Sequence, residues 1–153
     1  MTTSQSGLAS WHGRLGWLMA GLAVAALGVA LYLGITKLQG GVPVCAILEG
    51  CDVVSDSEYA EVLGIPTGLL GAAASLVTLV GALLWWLLAD RRALLLAYVI
   101  GLLSLPFLAW LTYLELFVIE AICIWCVTYA LLVVAGWAIA SIVLWRDRKE
   151  SDA

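Results

Sequence analysis

Residues 121–145 read AICIWCVTYALLVVAGWAIASIVLW, an uncharged run with a Cys-x-x-Cys motif near its start. A helix needs about 20 predominantly apolar residues to cross a bilayer, and this run is long enough. The rest of the sequence has the same character, with 64% hydrophobic and 12% charged residues and a mean hydropathy of +1.08. This composition argues against a soluble globular domain and predicts a polytopic membrane protein.

Four apolar runs in the sequence are long enough to span a membrane. We therefore predict an all-α integral membrane protein, a four-helix transmembrane bundle with a cysteine-bearing extracytoplasmic loop between the first and second helices. The first run lacks a small-x-small cleavage site after it, so we expect a retained span and not a signal peptide. The predicted spans are about 15–36, 66–89, 93–114 and 122–145; the outer loop is 37–65, the membrane domain is 14–145, and the tails are 1–13 and 146–153.

The basic residues predict the orientation of these spans, because Lys and Arg near span ends are retained on the cytoplasmic side. Lys37 is the exception among the seven, since it falls on the opposite side of the predicted membrane. We therefore expect both termini in the cytoplasm and all four cysteines at the outer face, where disulfides form and persist. The six basic residues that agree with this orientation are Arg14, Arg91, Arg92, Arg146, Arg148 and Lys149.

Cys123 and Cys126, which we call the helix pair, lie at the start of the fourth predicted span. A helix N-terminus favours negative charge and therefore the reactive thiolate, and residues three apart share one helix face. A zinc site is disfavoured because the only histidine, His12, is predicted on the other side, and covalent haem attachment needs a His where Val127 stands. We expect no metal; a purely structural disulfide remains open.

Cys45 and Cys51, which we call the loop pair, lie in the outer loop among turn-forming residues. A cysteine pair on a mobile segment can meet a soluble partner and then return to a pair at the membrane edge. Disulfide exchange requires this stepwise contact, because it proceeds through mixed disulfides. The pattern favours a thiol relay. The alternative is a non-enzymatic scaffold in which both pairs form static structural disulfides.

The sequence resembles the bacterial homologues of the vitamin K epoxide reductase family, integral membrane enzymes with a four-helix core. The resemblance covers essentially the whole chain. The order of the two cysteine pairs excludes the unrelated disulfide-oxidising membrane proteins, which place Cys-x-x-Cys in the first outer loop. The matching stretches are Cys45 to Cys51 with Asp52, Tyr59-Ala60, Gly64-Ile65-Pro66 through Gly71, Leu108-Ala109-Trp110, and Cys123 to Cys126.

The resemblance implies a path for two electrons. Cys51 would accept them from a thioredoxin-like DsbA-type protein, and Cys45 would exchange with Cys123. Cys126 would then pass them to a membrane quinone, menaquinone or ubiquinone. Many bacterial members carry a fused thioredoxin-like domain and this sequence does not, so we expect a separately encoded partner. The expected location is the bacterial cytoplasmic (inner) membrane, with lipid and quinone as partners and no nucleic acid.

Four further residues are candidates for the quinone pocket. Ser57 matches a serine that lies beside the quinone in the family, and Tyr129 shares a helix face with Cys126. Trp110 and Phe107 are further candidates on the third predicted span. The family resemblance also leaves open the reduction of quinone epoxides, as in the animal members, as an alternative activity.

Overall fold

The structure, a computed structural model, describes residues 3–45 and 50–151. It contains five α-helices, a 3-10 helix and one two-stranded antiparallel sheet in the described residues. The α-helices are α1 (Thr3–Leu38), α2 (Cys51–Asp56), α3 (Thr67–Leu88), α4 (Arg91–Phe117) and α5 (Ile124–Ser151); the 3-10 helix is Glu58–Ala60, and the strands are β1 (Glu61–Val62) and β2 (Ile65–Pro66).

Four of the helices are long and apolar enough to cross a membrane: α1 over Gly13–Leu38, α3 over Thr67–Leu88, α4 over Arg91–Phe117 and α5 over Ile124–Lys149. The predicted four-helix membrane bundle with a cysteine-bearing loop between its first two spans is thereby confirmed. The helix bounds lie close to the predicted ones, except that α1 begins well before residue 15 and α5 continues past residue 145.

The four long helices form a ring in which α1 packs on α3, α3 on α4, α4 on α5, and α5 back on α1. Small residues allow the closest of these approaches, as is usual between membrane helices. A Cβ added at Gly68 of α3 would lie 2.6 Å from the backbone nitrogen of Gly34 in α1, and one at Gly81 would lie 2.8 Å from the carbonyl oxygen of Ala93 in α4. Close backbone contact therefore holds α3 between its two neighbours.

A tight turn joins α3 to α4. Ala89 ends α3 in the left-handed conformation, with φ of 52°, and its N–H donates to the carbonyl of Trp85 at 2.9 Å. Asp90 then caps α4, because its carboxylate accepts a hydrogen bond from the N–H of Arg92 at 2.9 Å. The described parts of the other two connections, residues 39–45 and 50–66 and residues 118–123, lie together at the opposite end of the bundle, which we call the cysteine end.

The connection between α1 and α3 has its own order at the cysteine end. Strands β1 and β2 pair Glu61 with Pro66 and Val62 with Ile65. Leu63 and Gly64 between them both have positive φ, 56° and 79°, as a two-residue type I′ hairpin turn requires. The hydroxyl of Thr67 donates to the carbonyl of Ala60 at 3.2 Å, which ties the hairpin to the start of α3. The loop is thus folded back onto the bundle.

Candidate active site

The loop pair is oxidised in the structure. Cys45 and Cys51 form a disulfide with their Cα atoms 6.1 Å apart. Cys51 is the first residue of α2 and is buried, with 1% of its surface exposed, whereas Cys45 is only partly buried. The disulfide therefore turns Cys51 toward the bundle and leaves Cys45 nearer the surface.

Two aromatic side chains hold the residue that precedes Cys45. The N–H of Val44 donates to the hydroxyl of Tyr32 at 3.0 Å, and the indole N–H of Trp125 donates to the carbonyl of Val44 at 3.0 Å. The Tyr32 and Trp125 rings also contact each other, with centroids 5.1 Å apart. Because Trp125 lies inside the Cys-x-x-Cys motif, the helix pair's own motif positions the backbone of the loop pair.

A second contact brings the other end of the loop disulfide to the helix pair. A Cβ added at Gly50 would lie 2.7 Å from the carbonyl oxygen and 2.8 Å from the backbone nitrogen of Ile122. Gly50 immediately precedes Cys51, and Ile122 immediately precedes Cys123. The two segments that carry these cysteines therefore pack backbone against backbone, which only a glycine permits.

The helix pair consists of free thiols in the structure. Cys123 stands directly before α5 and is 2% exposed, and Cys126 lies one turn into α5. A hydrogen bond from the Cys126 side chain lowers the pKa of Cys123 to about 7. Hydrogen bonding to the charged form favours that form, so Cys123 is the more acidic sulfur and carries thiolate near neutral pH.

Glu115 also contacts the helix pair, although the sequence pattern did not identify it as a site residue. Its side chain is buried, with 6% exposed, in the last part of α4. The carboxylate accepts a hydrogen bond from the N–H of Cys123 at 3.4 Å and is hydrogen-bonded by the side chain of Cys126. A glutamate at the end of an apolar run predicts a solvated side chain; only the return of residues 118–123 over it produces the burial.

Two adjoining cavities meet at the helix pair. The first, the loop cavity, is lined by Cys51 and Cys123 together with Ser57, Tyr59 and Lys37. The second, the interior cavity, lies between the helices and has a volume of about 110 Å³. The two cavities share the lining residues Leu33, Thr67, Gly68, Leu111, Glu115 and Cys126.

Two of the four predicted pocket residues line the interior cavity. Phe107 contributes to its wall, and Tyr129 lies beside Cys126 on the same face of α5. The Tyr129 hydroxyl donates to the carbonyl of Gly71 at 3.0 Å and lies 3.3 Å from the hydroxyl oxygen of Ser75. The ring of Tyr129 is therefore held between α5 and α3, at the edge of the space that Cys126 faces.

The other two predicted pocket residues do not line the interior cavity in the described part of the chain. Ser57 lines the loop cavity instead, and its hydroxyl donates to the carbonyl of Val54 at 2.7 Å. Trp110 is 44% exposed on α4, where its ring meets that of Tyr59 edge to face at 6.3 Å. Trp110 thereby packs the 3-10 helix onto α4.

The sequence matches the model of the family described as "Vitamin K epoxide reductase family" over residues 17–141. The match runs from α1 into α5 and includes the loop pair, the helix pair and Glu115. It covers well over half of the chain, so the resemblance seen in the cysteine motifs is confirmed. The chain belongs to the vitamin K epoxide reductase family, and it is accordingly an oxidoreductase of a quinone-linked membrane family.

Proposed function

We propose that the protein is a membrane thiol:quinone oxidoreductase that reoxidises a thioredoxin-like DsbA-type protein and so supports disulfide formation in exported proteins. One observation carries the proposal. Cys51 and Cys123 line the loop cavity, and Cys126 lies in the wall that this cavity shares with the interior cavity. Three of the four sulfurs therefore line two connected cavities that lead from the cysteine end of the bundle into its interior.

The first half of the reaction is thiol exchange. Cys51 is buried in the docked loop, so the loop must first leave the bundle to meet the partner. A thiolate of the partner then attacks Cys51 and releases Cys45, and the partner's second thiol displaces Cys51, so that the partner leaves as a disulfide and the loop pair is reduced. The Cys45 thiolate next attacks Cys123 of the oxidised helix pair, and Cys126 is the leaving group. Cys51 resolves this mixed disulfide, which restores Cys45–Cys51 and leaves Cys123 and Cys126 as thiols.

The second half of the reaction reoxidises the helix pair. A bound quinone, menaquinone or ubiquinone, supplies the oxidant by taking up two electrons and two protons. The interior cavity has the chemistry such a ligand needs, with apolar walls that include Phe107 and a few polar groups, Tyr129 and Glu115 among them. Cys126 faces this cavity, so its sulfur is the one that we assign to the transfer.

The pairing in the structure corresponds to one point in this cycle. The loop pair is a disulfide and the helix pair is a dithiol. In the proposed order of steps, this state follows reduction of the helix pair by the loop pair and precedes reduction of the quinone by the helix pair. The low pKa of Cys123, about 7, prepares that sulfur for both exchange and closure of the Cys123–Cys126 bond.

The proposal includes a location. We assign the protein to the bacterial cytoplasmic (inner) membrane, with both termini inside and the cysteine end outside. The distribution of Lys and Arg supports this orientation, since six of the seven flank the other end of the bundle. The outer compartment is also the one in which newly formed disulfides persist.

The test is a single-turnover reaction of the fully reduced protein in detergent with decylubiquinone under anaerobic conditions. We expect quinol and protein disulfide to form in equal amounts, because the helix pair is oxidised first and can then take electrons from the reduced loop pair. The double variant Cys45→Ser with Cys51→Ser should keep this one turnover, and Cys126→Ser should lose it. If the wild-type protein leaves the quinone oxidised, the protein is not a quinone reductase, and the static scaffold becomes the better account.

A further inference from the structure

Glu115 is an ionisable side chain inside a membrane-spanning helix, and it is almost fully buried. An ionisable group in such a position is costly, and it normally has a partner or a function. Among the side chains that the structure describes, those of residues 13–45 and 50–149, no basic group forms an ion pair with Glu115. Lys37 lines the same loop cavity, but its ammonium donates to the carbonyl of Ser55. The partners of the carboxylate are the two cysteines of the helix pair.

The two contacts to the cysteines differ in kind. The N–H of Cys123 is a fixed backbone donor, and accepting it caps the start of α5. The thiol of Cys126 has one proton, which it can turn to the sulfur of Cys123 or to the carboxylate of Glu115, and that proton leaves when the sulfur is oxidised. A role in capping alone accounts for the first contact, whereas the second joins the carboxylate to a reacting atom.

The position of Glu115 gives the proton a way out. Glu115 and Cys126 both lie in the wall shared by the loop cavity and the interior cavity. Cys126 lies one turn deeper than Cys123 along α5, and of the two cysteines it is the one that lines the interior cavity. A carboxylate at this wall can take a proton from the sulfur and release it to either cavity.

We propose that Glu115 is the catalytic base that removes the proton from the Cys126 thiol when the helix pair is oxidised. This inference rests on the proposed function, because the oxidant is the quinone named there. The S–H bonds of Cys123 and Cys126 break and one S–S bond forms, and the two electrons go to the quinone. The Cys126 proton passes to a Glu115 oxygen and then to the reduced quinone, while the acidic Cys123 releases its proton to water, from which the second quinol proton is drawn.

The titratable groups that face this site come from several elements. Cys123 and Tyr129 lie on the α5 side, Lys37 at the end of α1, and Tyr59 in the 3-10 helix; these side chains line the two cavities with Glu115 and Cys126. Within the described residues, Glu115 is the carboxylate that lines these cavities. It is therefore the carboxylate placed to accept a proton from the Cys126 thiol.

The test separates proton transfer from capping by using Glu115→Gln. Glutamine keeps an oxygen that can accept the Cys123 N–H but has no basic oxygen to hold a proton. The experiment uses the full-length protein with Cys45→Ser and Cys51→Ser, in which no loop pair can consume the product, and measures the rate of Cys123–Cys126 disulfide formation with decylubiquinone. We expect this rate to fall about 100-fold in the variant, the low end of the range for general-base catalysis.

Two controls make the result decisive. Reduction of Cys45–Cys51 by dithiothreitol should proceed at the wild-type rate in Glu115→Gln, because no proton transfer by Glu115 enters that step. Glu115→Ala should also be slow, and added formate should restore its rate in proportion to formate concentration, which a variant with a purely structural defect would not show.

The outcomes are distinguishable. A Glu115→Gln rate within threefold of wild type overturns the assignment. If Glu115→Gln unfolds, the alanine variant decides, and a rate that formate leaves unchanged also overturns it. A wild-type protein that fails to reduce decylubiquinone instead overturns the proposed function, since the failure then precedes any effect of Glu115.

Discussion

The indole nitrogen of Trp125 donates a 3.0 Å hydrogen bond to the carbonyl of Val44, and so joins the Cys123–Cys126 motif to the residue before Cys45. The two positions are 81 residues apart in the chain. A relay requires the loop pair to return to the helix pair after each meeting with a partner. This hydrogen bond, together with that from Val44 to Tyr32, defines the docked position of the loop.

Replacing Trp125 by Phe should loosen the docked loop. Phenylalanine keeps an aromatic ring near Tyr32 but removes the N–H donor, and a hydrogen bond contributes about 1 kcal/mol. We expect amide hydrogen exchange of the peptide containing Val44 to accelerate about fivefold, the population shift that corresponds to this free energy. Trp145→Phe, a change on an exposed side chain at the other end of α5, is the control. Equal exchange in both variants would show that Trp125 does not hold the loop.

Replacing Gly50 by Ala should separate the segments that carry Cys51 and Cys123. The added Cβ would lie 2.7 Å from the Ile122 carbonyl oxygen, and relieving such a contact costs about 1–3 kcal/mol. We expect a lower melting temperature in detergent and faster reduction of Cys45–Cys51 by dithiothreitol.

The matched control for Gly50 is Gly28→Ala, because a Cβ at Gly28 meets nothing within 4 Å. Alanine is also the better helix former, so this variant should be at least as stable as the wild-type protein. Equal melting temperatures for Gly50→Ala and Gly28→Ala would contradict the close packing of Gly50 against Ile122.

The acidity of Cys123 should depend on a donor at position 126. In the reduced protein, the rate of Cys123 modification by methyl methanethiosulfonate should rise with pH and reach half its maximum near pH 7, since the thiolate is the reactive form. Cys126→Ala removes the hydrogen bond that lowers the pKa, so the midpoint should move up toward the value of about 8.5 for a free cysteine.

Cys126→Ser separates the loss of the donor from the loss of the sulfur. The serine hydroxyl can still donate to the Cys123 thiolate, so we expect its pH midpoint to lie below that of Cys126→Ala. Identical midpoints in the two variants would mean that the hydrogen bond is not the cause of the shift.

The hairpin tip reports the orientation in the membrane. Leu63 is 98% exposed at the cysteine end, and Leu88 is 70% exposed at the other end of α3. In a background with all four cysteines replaced by serine, Leu63→Cys in spheroplasts should react with a membrane-impermeant maleimide. Leu88→Cys should react only after the membrane is permeabilised. The reverse pattern would place the cysteine end in the cytoplasm and contradict the proposed location.

Local sequence features predict most of the fold. Uncharged runs of about 20 residues suffice to predict four spans, because a helix in lipid must be apolar along its whole length. The positions of the helix ends are harder to predict from the sequence. Residues 3–14 contain polar side chains and still continue α1, and Arg146 to Lys149 continue α5, since a helix does not stop at the membrane boundary.

The site is only partly readable from the sequence because it is built from distant segments. The cysteines and Tyr129 are found from their spacing, which keeps Tyr129 on the face of Cys126. Glu115 is not, because its burial depends on residues 118–123 folding over the end of α4, and the roles of Ser57 and Trp110 depend on the loop's own folding. These are tertiary contacts that no local pattern encodes.

Exchange between the loop pair and the helix pair is the central claim, and trapping it is the most direct measurement. Replacing Cys51 by Ser removes the thiol that resolves the mixed disulfide, so Cys45 should stay bonded to Cys123. Disulfide mapping by mass spectrometry after non-reducing purification should find the Cys45–Cys123 crosslink. If the variant contains only Cys123–Cys126 and a free Cys45, the two pairs do not exchange and the account is wrong.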